Sequence, residues 1–144
     1  MKLCPFDSVG LVVTKTSGEV LVLERKKFPL GLALPAGHLD FIGDTKESFE
    51  VAARRELYEE TGLRAKTLKL LVDKIFHNLC SKGFDGHHWQ IFEVVEWEGE
   101  PRVMEPDKHA RVWWATPKSI TDWIRQGKAT DPAWLKFIFP LIGG

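Results

Sequence analysis

With 144 residues, 44% of them hydrophobic and 28% charged, the chain is long enough to bury a core as one domain over 1–144 and too apolar for disorder. Twenty Lys and Arg cancel twenty Asp and Glu, so no net field favours nucleic acid or an anionic membrane, and a small-molecule partner is expected. Cys4 and Cys80 are the only cysteines and lack CxxC spacing, which suggests neither a zinc site nor a disulfide framework; with no signal-length or membrane-length apolar run, reduced thiols and a cytoplasmic location are expected.

In chain order, residues 7–14 and 20–26 are β-rich runs separated by a Ser-Gly turn, and predict a hairpin. The second run ends in Glu24-Arg25-Lys26-Lys27, where Arg25 is either part of a polar strand end or a guanidinium at a cleft mouth, suited to a phosphate. A Pro/Gly connection at 28–31 leads to Leu32-Ala33-Leu34-Pro35-Ala36-Gly37-His38-Leu39-Asp40, a short strand that Pro35 breaks into a loop.

A helix is predicted from about Thr45 to Thr61, packing Phe49, Ala52, Ala53 and Leu57 and stopped by Gly62. Asp44 can cap it with Glu47 reaching back, or Ser48 can. Its last turns concentrate Glu56, Glu59 and Glu60. Glu56 and Glu60 are like charges one turn apart, costing about 0.2–0.5 kcal/mol, and acids at a helix C-terminus oppose the dipole by roughly 0.3–1 kcal/mol each. Either Arg54 and Arg55 neutralise a solvated acidic face, or a divalent cation relieves the repulsion. Strands are expected at 67–77 and 89–96, joined by a Gly-containing loop at 78–87, and again at 110–114. Helices follow at 117–126 and from Asp131 to Pro140. Strands on either side of one central helix predict an α+β fold. The tryptophans of the last segments read as core, although a segment closing over the sheet could line a base-stacking pocket. His87 and His88, adjacent on a strand, point to opposite faces and do not share an ion; together with His109 they read as ordinary polar residues. Glu105 reads as a surface acid before Pro106.

The run Arg55-Glu56-Leu57-Tyr58-Glu59-Glu60-Thr61-Gly62-Leu63, with Glu47 eight positions before Arg55, resembles the signature of the Nudix hydrolases. Nine residues separate Gly37 from Glu47 where that signature has five, so 42–46 is read as a lengthened loop. The resemblance implies an α/β/α sandwich with a mixed sheet, and Mg2+-dependent hydrolysis of a phosphoric anhydride, with Mn2+ as a substitute. It implies Glu59 and Glu60 as principal metal ligands, Glu56 as ligand or base, a carbonyl from Ala36 or Gly37, and Arg55 orienting the acids. It leaves Glu105 as an alternative base or further ligand, and places Arg25, His38 and Glu47 on the substrate side, with Glu47 bracing Arg55 or replaced there by Asp44.

Leu79 and Cys80 stand where relatives that cleave ADP-ribose or dinucleoside polyphosphates carry proline or tyrosine, and the single tyrosine is Tyr58. The GHLD, QIFEVVEWEGEP and MEPDKHARVWW segments resemble MutT-like enzymes, implying a nucleoside triphosphate cleaved to monophosphate plus pyrophosphate. The alternatives are another nucleoside diphosphate derivative and a non-catalytic nucleotide-sensing module. A homodimer stays open.

Overall fold

The computed structural model describes residues 1–28, 30–77, 79–80 and 82–128. The elements run β1 (Ser8–Val12), β2 (Val20–Arg25), β3 (Gly31–Ala33), β4 (Ala36–His38), β5 (Phe41–Ile42), β6 (Thr45–Lys46), α1 (Phe49–Thr61), β7 (Arg64–His77), β8 (Gly86–Glu98), β9 (His109–Ala115) and α2 (Pro117–Arg125). One sheet has the order β4-β1-β8-β7 and a second β3-β2-β9. β1 runs parallel to β8 and the other pairings are antiparallel, so the fold is α+β with a mixed sheet.

Strand alternation builds the layers. Val9, Leu11, Val13 and Leu21 join Phe92 and Val94 against Ala52, Ala53 and Leu57 of α1. Val12, Val20 and Val22 turn the other way, with Leu32 and Ile91, against Ile120 of α2. Successive side chains on a strand face opposite sides, so an apolar run such as Leu11-Val12-Val13 can supply both cores, each fully buried aliphatic side chain adding about 1.5–3 kcal/mol. Among the described residues no helix is long and apolar enough to cross a membrane.

Pro35 separates β3 from β4, which belong to different sheets. The helix starts later than the sequence predicts: Thr45 and Lys46 pair with Ile42 and Phe41 as a hairpin turning at Gly43 (φ 62°) and Asp44. The hairpin closes at its base, where Glu47 N–H donates to the Asp40 carbonyl (2.8 Å) and Asp40 N–H to Glu47 Oε1 (3.0 Å). The extra residues therefore project outward and return Glu47 to the chain's path beside Asp40. Ser48 is the cap, its hydroxyl accepting from Val51 N–H at 3.2 Å, and Asp44 is at the hairpin tip.

β7 and β8 are longer than their alternation indicates because they pair from Arg64↔Glu98 to His77↔Gly86, with register shifts. Gly86 and His87 are strand rather than loop; Cys4 N–H donates to the Gly86 carbonyl at 2.7 Å beside a parallel bridge between Leu3 and Gly86. The closing helix expected from Asp131 lies outside the described residues. Trp113 and Trp123 pack against the core on the α2 side.

Candidate active site

The last turns of α1 face β4. A Cβ on Gly37 would lie 2.1 Å from Cδ of Glu56, so that carboxylate rests on bare backbone. Ala36 N–H donates to Glu60 Oε1 at 2.7 Å. Ala36 carries no backbone strain, since positive φ among the described residues occurs at glycine alone. Gly62, with φ 80°, ends the helix directly after the acids, its N–H donating to the Tyr58 carbonyl.

Arg55 organises the cluster. Its Nε and Nη2 donate to the two oxygens of Glu47 at 2.9 and 2.8 Å. Nη1 donates to Glu56 (2.9 Å) and Glu59 (3.2 Å), and Nη2 to the His38 carbonyl (3.0 Å). A planar guanidinium offers five donors in a fixed fork, and here they fix the Glu56 carboxylate relative to β4. Glu47 is thereby engaged through both oxygens as a brace, and Asp40, 3.5 Å from Nε, adds charge at the rim.

The Glu60 side chain is 7% exposed and the Glu59 side chain 46%. Glu60 Oε2 lies 3.3 Å from Nε2 of His109, a residue that is buried (1% exposed) and beside a carboxylate rather than an ordinary polar side chain. Glu105 joins them: Glu60, Glu105 and His109 each present a ligand atom within 4.8 Å of the others. The tight turn at Glu105, whose carbonyl accepts from Lys108 and His109 N–H, brings this acid to the helix end, and its carboxylate accepts from Lys108 Nζ at 3.1 Å. Arg25 stands opposite His109 in the β2–β9 register, next to a bulge that lets the strand end diverge; its Nη2 donates to the Phe28 carbonyl at 3.2 Å. His38 points elsewhere. Gly37 faces α1, so alternation turns the His38 imidazole to the opposite side of β4, where its Nε2 lies 3.9 Å from Cys4 Sγ. His109 could have been suspected only from its position at the head of the late strand, four residues after Glu105.

Burial, then the neighbouring charge of Glu60, pushes Glu56 up to about 8 despite Arg55. Burial likewise raises Glu60, with His109 and the Ala36 N–H acting against it. Arg55 holds Glu47 below the usual carboxylate range. Glu56 and Glu59 of α1 thus share one guanidinium with Glu47, and the carboxylates are hard oxygen donors. That set fits a divalent cation such as Mg2+ or Mn2+, which take carboxylate and carbonyl oxygen, better than a thiophilic one.

A pH dependence follows for the metal-free protein. Because Glu56 is raised on folding, its contribution to stability is complete below the unfolded carboxylate value of 4.5 and is lost as pH rises through about 8. His38, lowered to about 4 by burial, Lys82 and His87, acts oppositely at lower pH, and above its ordinary 6.5 it is largely neutral in both states. In chelator, unfolding free energy is expected to fall by about 1–2 kcal/mol between pH ~6.5 and ~8, and Glu56→Gln to flatten that slope. Equal slopes in wild type and variant, followed by denaturant titration, would contradict it.

The NUDIX domain model matches residues 5–136. The MutT NUDIX hydrolase from Burkholderia pseudomallei is 28% identical, with a TM-score of 0.65 over 82% of this chain and 84% of its own. A MutT structure from work on Aliivibrio salmonicida and Vibrio cholerae is 18% identical and covers 95% of both chains at a TM-score of 0.68. The NUDIX domain of Shewanella oneidensis NrtR, solved with ADP ribose, is 19% identical and covers 96% of this chain and 84% of its own at a TM-score of 0.66; at these lower identities the likeness is one of fold. The chain belongs to the Nudix superfamily and is a MutT-like pyrophosphohydrolase.

Proposed function

We propose that the protein hydrolyses a nucleoside triphosphate, NTP or dNTP, to the monophosphate and pyrophosphate with Mg2+, and with Mn2+ as a substitute. The observation that supports this reading is the convergence of Glu56 and Glu59, tethered by Arg55, and Glu60, held by Ala36 N–H, with Glu105 approaching Glu60 from a separate loop. Glu56, Glu59, Glu60 and a carbonyl of Ala36 or Gly37 hold the cation. Once bound, it supplies charge neutralisation for phosphate oxygens and activation of water. Arg25, at the end of β2, contacts the phosphates, for which a guanidinium fork is suited. Glu105 accepts the proton of the attacking water: it comes from outside α1 and is not held by Arg55, so it can approach the reacting phosphorus independently. Water adds at phosphorus as one P–O–P bond breaks. Arg55 and Glu47 act as positioning residues, keeping the acids of α1 in place. Residues 1–144 work as one domain in this reading.

Hydrolysis of another nucleoside diphosphate derivative is the competing reading, since one structural neighbour was solved with ADP ribose. A magnesium-supported assay with identified products separates the two. Pyrophosphate and a nucleoside monophosphate from a triphosphate are expected. Cleavage of ADP-ribose to two monophosphates, with no pyrophosphate from any NTP or dNTP, would overturn the proposal. Glu105→Gln is expected to lower kcat roughly 10²–10⁴-fold while the magnesium concentration for half-maximal rate stays close to wild type.

A further inference from the structure

On the face of β4 away from the carboxylates, the N-terminal segment, β4 and the start of β8 bring Cys4, His38 and His87 together, each offering a ligand atom within 4.8 Å of the other two. These residues are far apart in sequence and none belongs to a metal-binding spacing pattern. Cys4 and His87 are buried, at 3% and 1% exposure. The imidazoles of His38 and His87 stack with centroids 6.1 Å apart, and Cys4 Sγ is 3.9 Å from His38 Nε2. Cys80, before β8, neighbours Cys4 without belonging to that 4.8 Å group. Around a tetrahedral ion bound at about 2.0–2.3 Å, ligand atoms stand roughly 3.5 Å apart, so small rotamer adjustments bring Cys4, His38 and His87 to bonding distance.

We propose that Cys4, His38 and His87, with Cys80 as fourth ligand, bind a tetrahedral thiophilic divalent cation of the zinc type, at a second site separate from the carboxylates. Two thiolates and two imidazoles form a soft donor set, chemically distinct from the oxygen cluster on α1. The His38 and His87 imidazoles each offer a ring nitrogen to the group. Cys4, raised by burial, and Cys80 release their protons to solvent as the metal binds. Lys82 faces the same region, its Nζ 4.0 Å from the Phe6 ring centroid; its charge opposes a dication but favours the thiolates. Because Ala36 N–H, Gly37 and the His38 carbonyl meet Glu60, Glu56 and Arg55, an ion on the His38 imidazole would stiffen the strand against which the catalytic acids rest.

Cobalt(II) distinguishes the sites, because the carboxylate cluster contains no sulfur. In reduced, chelator-stripped full-length protein, Co2+ is expected to produce a near-ultraviolet thiolate-to-cobalt charge-transfer band saturating at one equivalent and abolished by Zn2+. Glu60→Gln should retain that band, and Zn2+ should raise its melting temperature. Cys4→Ser, Cys80→Ser and His87→Gln should each weaken cobalt affinity by more than roughly 100-fold, beyond the usual cost of an outer-shell change. Absence of the band in reduced wild type overturns the proposal even if some variants do not fold, including the case in which Cys4 and Cys80 are recovered from air as a disulfide. A band unchanged in any folded ligand variant removes that residue from the site and overturns the four-ligand assignment.

Discussion

Glu60→Gln is expected to lower magnesium-supported turnover by roughly 10³-fold or more, the equivalent of about 4 kcal/mol of transition-state stabilisation. Glutamine keeps the side chain's shape and the oxygen that accepts from Ala36 N–H at 2.7 Å, so the substitution removes mainly a charge. In chelator the variant should be as stable as wild type or more so, because the lost charge is buried and faces Glu56 and Glu105. Millimolar magnesium should raise the melting temperature of wild type, by binding the folded state preferentially, and have little effect on a Glu59/Glu60 double glutamine variant. Comparable turnover in Glu60→Gln and wild type at saturating magnesium would sink the assignment. An equal thermal shift in the double variant would place the ion elsewhere.

Arg55→Ala is expected to cost about 3 kcal/mol of folding stability, toward the low end for breaking a buried ion pair, because the Arg55 side chain retains 23% exposure. That corresponds to a melting temperature lower by about 6–12 °C. The cost arises from what remains: Glu47 and Glu56, with side chains 10% and 13% exposed, lose their shared cation. Turnover should fall by about 10–100-fold, as expected when a residue orienting the ligands is removed. Arg55→Lys restores charge but cannot reproduce the bidentate contact with Glu47, so it should recover only part of the stability. A loss below about 1 kcal/mol in denaturant unfolding would reduce the Arg55 network to an ordinary surface ion pair.

The acids of α1 were legible because their chemistry is local. Glu56, Glu59 and Glu60 lie within two turns of one helix, Gly62 ends it, and the spacing of Glu47 and Arg55 carries the family resemblance. The helix's entry was less legible. Local preferences allowed a helix from Thr45, but pairing of Thr45 with Ile42 and Lys46 with Phe41 draws those residues into a hairpin. Closing the hairpin at Asp40 and Glu47 lets the longer segment keep Glu47 against Arg55. Likewise, the partly exposed β7 shows little alternation, and its full length depends on pairing with β8.

By itself, the sequence determined the family, the helix carrying the acids and the hard-oxygen character of the site, since these depend on residues a few positions apart. Tertiary structure decided what faces that helix. It placed buried His109 against Glu60, turned the His38 imidazole away from the carboxylates, and gathered Cys4, His38 and His87 from three separate segments. Such meetings depend on strand order and on which side of each strand a residue faces, and neither is encoded in local spacing.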